Sequence, residues 1–184
     1  MAEPPLYRHV LGGRFDALPP EVRAMHNVND TLVAEGRCDV DAGASSVAKL
    51  IAMLFGFPGA GRGIPVRVEM TRVGERERWA RTIGAGRFNS ELAPARRPYE
   101  DLLTERFGIT KFFFDLPTDA GGLRMNLRRV ESLGVPVPKT LWPRITARET
   151  AADGKFTFDV CIELPVVGLL VHYRGWLALM VAAY

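Results

Sequence analysis

Apolar and polar residues alternate along most of the C-terminal half of the chain, and the alternation is longest from Gly154 to Leu177. Phe156, Phe158, Val160, Ile162 and Leu164 fall at every second position, with Lys155, Thr157, Asp159, Cys161 and Glu163 between them, which predicts a strand with one continuously apolar face. After the break Leu164-Pro165-Val166-Val167-Gly168, Leu169, Val171 and Tyr173 take one side of a second strand and Leu170, His172, Arg174 and Trp176 the other. Upstream, Phe112, Phe114 and Leu116 lead to a turn at Asp119 to Gly122, and Leu123, Met125 and Leu127 then alternate with Arg124, Asn126 and Arg128. Ser132 to Pro143 holds three prolines in eight residues and predicts an extended loop or edge. Ile145, Ala147 and Glu149 open another strand, and Asp153-Gly154 supplies a tight turn.

The first half is more mixed. Leu6 to Leu11 and Pro20 to His26 predict two short helical pieces, the second with proline where a first helical turn tolerates it. Thr31 to Val40 predicts a strand with a bulge at Gly36. Ser45 to Phe55 is the clearest helix: a serine N-cap, apolar residues at helical spacing, a glycine stop and Lys49 as its one charge. A helix this apolar is expected to be largely covered, either by the sheet or by something bound to it. Val66 to Val73 and Glu77 to Ile83 form a hairpin around Gly74, Arg87 to Leu92 continues as a short strand, and Tyr99 to Phe107 holds a helical turn.

Together these elements predict an α+β fold: a mainly antiparallel, curved sheet of about seven or eight strands packed on one apolar helix, with a short helical N-terminal cap. A single domain over residues 1–184 is expected, with residues 1–26 as cap and 27–184 as the sheet plus helix 45–55. A sheet that curls against such a helix either packs a filled core or encloses a cavity for an apolar ligand.

Charge and composition narrow the function little. The net charge is +3, and 20 of the 24 basic residues are arginines dispersed from Arg8 to Arg174. The seven arginines between Arg72 and Arg97 are interrupted by Glu75, Glu77 and Glu91, so nucleic acid is not an expected partner. Cys38 and Cys161 form no metal or disulfide pattern and read as buried free thiols. The sequence shows neither a signal-peptide pattern nor an apolar run long enough for a membrane span, and a cytoplasmic protein is expected. His9, His26 and His172 have no ligand spacing, so no metal is expected. Gly59-Ala-Gly61 lacks the Lys-Ser/Thr ending of a phosphate-binding loop and the strand-GxGxxG-helix context of a dinucleotide site, and no cofactor is expected.

The candidate site is an apolar wall of Trp79, Phe112, Phe114, Met125, Phe156 and Phe158 with Arg81 and His172 orienting a polar end. Alternation places Arg81 beside Trp79 and Ile83, where a charge needs a ligand anion, a stacked Trp or a core acid such as Glu69 or Glu163. The opposite phase, with Arg78, Ala80 and Thr82 inward, is less apolar and stays open. An enzyme would instead need Arg81, His26, His172 or Tyr173 to converge in one pocket, and the sequence leaves enzymatic activity undecided.

YRHVLGGRFDALPPEVRAMH, ERWART, ERFGITKFFFDL, LGVPVPKTLWPRITARE and GKFTFDVCIELPVVGLLVHYRGWL occur in that order. In these segments the chain resembles a bacterial domain-of-unknown-function family, number four thousand one hundred and sixty-six. The resemblance implies association with saccharopine-dehydrogenase-like or short-chain-dehydrogenase-like domains, to which such domains are often fused at the C-terminal side. It carries over no catalytic residue. Together these features imply a module that binds a hydrophobic or amphipathic small molecule as an accessory to an NAD(P)-dependent oxidoreductase. Two alternatives stand beside it: a protein-protein or dimerisation module using the apolar helix and C-terminal tail, with a homodimer as one outcome, and a small-molecule enzyme with a pocket around Arg81 and His172.

Overall fold

Strand pairing closes the sheet on itself. The computed structural model describes residues 3–180, in which β1 (Thr31–Ala42), β2 (Gly61–Val73), β3 (Arg76–Ile83), β4 (Gly86–Pro94), β5 (Leu103–Phe107), β6 (Thr110–Asp115), β7 (Thr118–Asp119), β8 (Gly122–Ser132), β9 (Val135–Pro136), β10 (Arg144–Ala152), β11 (Lys155–Leu164) and β12 (Gly168–Leu179) form one antiparallel sheet. Neighbours in sequence are neighbours in space, β12 returns to pair with β1, and β10 pairs with β8. All strands except β7 and β9 therefore make a closed ten-stranded up-and-down barrel.

This corrects the expected fold class. The sheet is not a curved layer of seven or eight strands packed on one apolar helix, because its two edges meet and a closed sheet covers its own inner face. Three strands were hidden locally. Tyr99 to Phe107 turns at its start and then forms β5 where a helical turn was expected, while β7 and β9 are two-residue pairings inside segments that read as a turn and a loop.

Three short helices close the ends. α1 (Leu6–Leu11), a 3-10 stretch (Gly12–Ala17) and α2 (Pro20–Met25) bury Leu6, Tyr7, Phe15, Val22 and Met25, with α2 packed against β10 and β11. They cover the end of the barrel at which β1 starts, here called the cap end. At that end Asp153 and Gly154, with φ of 51° and 68°, form the two-residue turn between β10 and β11. α3 (Ser46–Leu54) starts on a Ser45 cap that accepts from the Ala48 N–H at 3.1 Å, and it lies at the opposite end, or mouth. The barrel itself covers only part of it. Ala48 is buried, whereas Val47, Leu50, Met53 and Leu54 are more than half exposed.

Local irregularities set which side chains enter the lumen. Between Ile162 and Glu163 the register with β12 shifts by one residue, which brings Leu170 and Tyr173 to the same inner face although simple alternation separates them. The bulge expected at Gly36 falls instead between Cys38 and Val40. Gly36 has another role, since a Cβ there would lie 1.9 Å from the Trp176 carbonyl oxygen. The outer wall carries ion pairs such as Arg67 with Glu35 and Arg128 with Asp115, while the inner wall is apolar, the reverse of a barrel that faces lipid all round. Among the described residues no helix is long and apolar enough to cross a membrane.

Candidate functional site

The barrel encloses a cavity of about 180 Å³. Its walls come from nearly every strand, because inward positions recur at period two around the closed sheet. Trp79, Arg81, Phe112, Phe114, Met125, Phe156 and Phe158 all line it, joined by Val160, Ile162 and Leu164 of β11. Ile51, Phe55 and Phe57, in and just after α3, line it from the mouth, and Tyr7 and Met25 line it from the cap. The inner phase of β3 is thus Glu77, Trp79, Arg81 and Ile83, and Arg78 and Ala80 face out.

His172 is the exception among the expected site residues. It is one position from Tyr173 and on the outer face, where its Nε2 lies 2.8 Å from Asp159 Oδ1 and its Nδ1 lies 3.2 Å from Arg174. A pocket built around Arg81 and His172 does not form, because the wall of the barrel separates them.

Arg81 is held from three sides. It donates to Ser90 Oγ at 2.7 Å and to Glu105 Oε1 at 3.0 Å, and the Ser90 hydroxyl donates to the same carboxylate oxygen at 2.7 Å. Its guanidinium also lies over the Trp79 ring at 4.8 Å and the Phe88 ring at 5.5 Å. The acid that neutralises it is neither Glu69 nor Glu163, which are on the outer wall with Arg67 and Arg144. Its partner is Glu105, in phase with Leu103 and Phe107 on β5.

A second polar group links lumen and cap. His26 is fully buried, stacks on Tyr7 at 3.7 Å and places Nε2 2.6 Å from Glu149 Oε2. Beside it the Trp79 indole N–H donates to Glu77 at 2.9 Å. Burial pushes the Glu77 carboxyl above its ordinary range, opposed by that indole bond and by His26. Burial also raises Tyr173 to about 12 and Tyr7 well above its usual value, so both phenols stay neutral and able to donate.

Glu105 and Glu149 are lumen residues missing from the expected set. A signal for them existed: each is an acid in an otherwise apolar phase, Leu103-Glu105-Phe107 and Ile145-Ala147-Glu149. Tyr7 carries no comparable signal, since its place at the lumen depends on how the cap folds back.

Fold and lumen define a class: a ten-stranded up-and-down barrel with a largely apolar cavity crossed by a neutralised polar belt. The chain belongs to the family described as Domain of unknown function (DUF4166), whose profile matches residues 18–177. α1 and Tyr7 precede the matched span. Among solved structures it is similar to a secretary abundant heat soluble (SAHS) protein from Ramazzottius varieornatus (from dimer sample), at 9% identity and a TM-score of 0.38, over 79% of this chain and 90% of that one. No curated protein matches.

Proposed function

We propose that the barrel binds a small amphipathic molecule with an apolar body and an uncharged polar end. The observation that carries this reading is the combination of a largely apolar lumen with an arginine whose charge is already matched inside it. An apolar cavity of about 150 Å³ in a protein core accommodates benzene, so the lumen suits a body somewhat larger than that and smaller than a drug-sized ligand. A ligand carboxylate or phosphate would have to displace Glu105 from Arg81 and leave a buried acid without its partner, at a cost of about 3 kcal/mol or more. A hydroxyl or carbonyl needs no such exchange. It can accept from the neutral Tyr173 or Tyr7 phenols or donate to Glu149.

Native mass spectrometry of the purified protein, followed by organic extraction, tests the reading. The expected result is an uncharged small amphiphile at near-unit stoichiometry, or an empty protein that takes up added 2-naphthol one to one. An empty protein that excludes 2-naphthol, or one that carries a carboxylic acid, contradicts it.

A further inference from the structure

α3 has two apolar faces, and only one meets the barrel. Ile51 points to the cavity with Phe55, whereas Val47, Leu50, Met53 and Leu54 face outward, more than half exposed. The antiparallel order puts four strand-to-strand turns at this same end: β3 to β4, β5 to β6, β8 to β9 and β11 to β12. Three of their tips are also exposed and apolar, namely Ile109, Leu133 and Val166, and Leu141 of the 3-10 turn before β10 adds a fourth side chain.

Two of these tips hold backbones that a glycine would adopt more readily. Leu133 has φ of 52° and Val166 of 67°. At Val166 the Val167 N–H donates to the Pro165 carbonyl at 2.7 Å, closing a three-residue turn around a β-branched residue in the left-handed region. Exposed apolar side chains at strained tips have no role in the barrel's own packing. Such strain points to function.

Charge at this end is mainly positive. Residues 43–66, 83–89, 107–111, 132–146 and 164–170, which build the mouth, contain Lys49, Arg62, Arg87, Lys111, Lys139 and Arg144 and no Asp or Glu. Of the nearest acids, Asp41, Glu131 and Glu163 pair with Arg62, Arg129 and Arg144, and Asp39 accepts from the Gly63 N–H at 2.8 Å; the ion pairs among the described residues do not engage Lys49, Arg87, Lys111 or Lys139. The cap end is mixed, with Glu21, Asp30, Glu75, Glu100, Asp119 and Asp153 among its arginines.

We infer that the mouth of the barrel docks on an anionic lipid surface, the apolar tips and outer face of α3 entering the acyl boundary and the lysines and arginines lying at headgroup phosphates. Apolar insertion alone gives weak, reversible binding, and a ring of basic residues supplies the second signal that a stable peripheral contact needs. A neutral apolar partner would gain nothing from the excess of positive charge, and a nucleic acid would gain nothing from the apolar tips. The inference goes beyond ligand binding in the lumen and does not require it.

Vesicle flotation with the ligand-free full chain tests it. Phosphatidylcholine vesicles with about one-third phosphatidylglycerol are expected to bind at least about tenfold more protein than phosphatidylcholine alone, and about 0.5 M salt is expected to remove most of the difference. The double variant Leu133→Gly and Val166→Gly is expected to lower binding about tenfold without loss of fold, since glycine accepts both backbones. Lys49→Gln with Lys139→Gln is expected to lower it on anionic vesicles alone. Failure to bind either vesicle, equal binding to both, or unchanged binding by the glycine variant overturns the inference. So does a dimer in solution that the glycine variant dissociates, which would assign the same surface to a second copy of the chain.

Discussion

His26 and Glu149, 123 positions apart in the chain, meet at 2.6 Å between Nε2 and Oε2 and tie the helical cap to the barrel wall. The imidazole is fully buried and its Nδ1 has no partner among the described residues, so Nε2 carries its side-chain hydrogen bonding. Glu149→Leu should therefore destabilise the protein by about 1–3 kcal/mol, the cost of leaving a buried polar group unsatisfied. Glu149→Gln, whose amide oxygen can still accept, should lose clearly less. Urea denaturation of the two variants measures the difference, and equal losses would mean that the contact does not hold the cap.

Arg81 and Glu105 make a stronger version of the same case, because both are ionisable and nearly buried. Arg81→Met removes one charge and strands the other, which should cost about 3–5 kcal/mol. The double variant Arg81→Met with Glu105→Gln should recover most of that loss. A double variant as unstable as the single one would show that the arginine acts through its stacking on Trp79 and Phe88 instead of through its charge.

Glu77 should make stability depend on pH. Burial raises its pKa in the folded protein above the ordinary 4.5, so the folded state holds this proton more tightly than the unfolded chain. The stabilisation from this group is complete below that ordinary value and is lost as pH rises through the folded one. Glu77→Gln removes the titration while keeping an acceptor for the Trp79 indole. The stability of this variant relative to the unmodified chain should rise from about pH 5 to about pH 8. A difference that stays flat or falls over that range would contradict the assignment.

The strands of the C-terminal half were legible because alternation and turn chemistry are local: Phe156 to Leu164 and the Asp153-Gly154 turn read directly as what they are. Closure was not. It depends on pairings between β12 and β1 and between β10 and β8, and alternation within a strand does not say which strand lies beside it. The helix of residues 45–55 is legible as a helix, whereas its apolar composition does not say whether the barrel or a bound partner covers it, and much of its surface faces outward. Seven of the eight named site residues share the lumen because inward phase is a property of sequence spacing. His172 lies on the outer face, one residue from Tyr173, in the strand where a bulge shifts the phase. Of the apolar tail from Trp176, residues 181–184 lie outside the described residues, and Trp176 itself belongs to β12 and sits under Lys155 at 4.0 Å.

Calorimetric titration with 2-naphthol and 2-naphthoate, two ligands that differ in the charge of the polar end, tests the proposed lumen most directly, and Ala147→Phe supplies the control. Ala147 lines the cavity on β10, and a phenyl group there is expected to take up much of it without removing Arg81 or Glu105. The expected result is one-to-one binding of 2-naphthol, at least about tenfold weaker binding of 2-naphthoate, and no binding of either to the folded Ala147→Phe variant. Tighter binding of the carboxylate, or 2-naphthol binding that the filled lumen leaves unchanged, would contradict it.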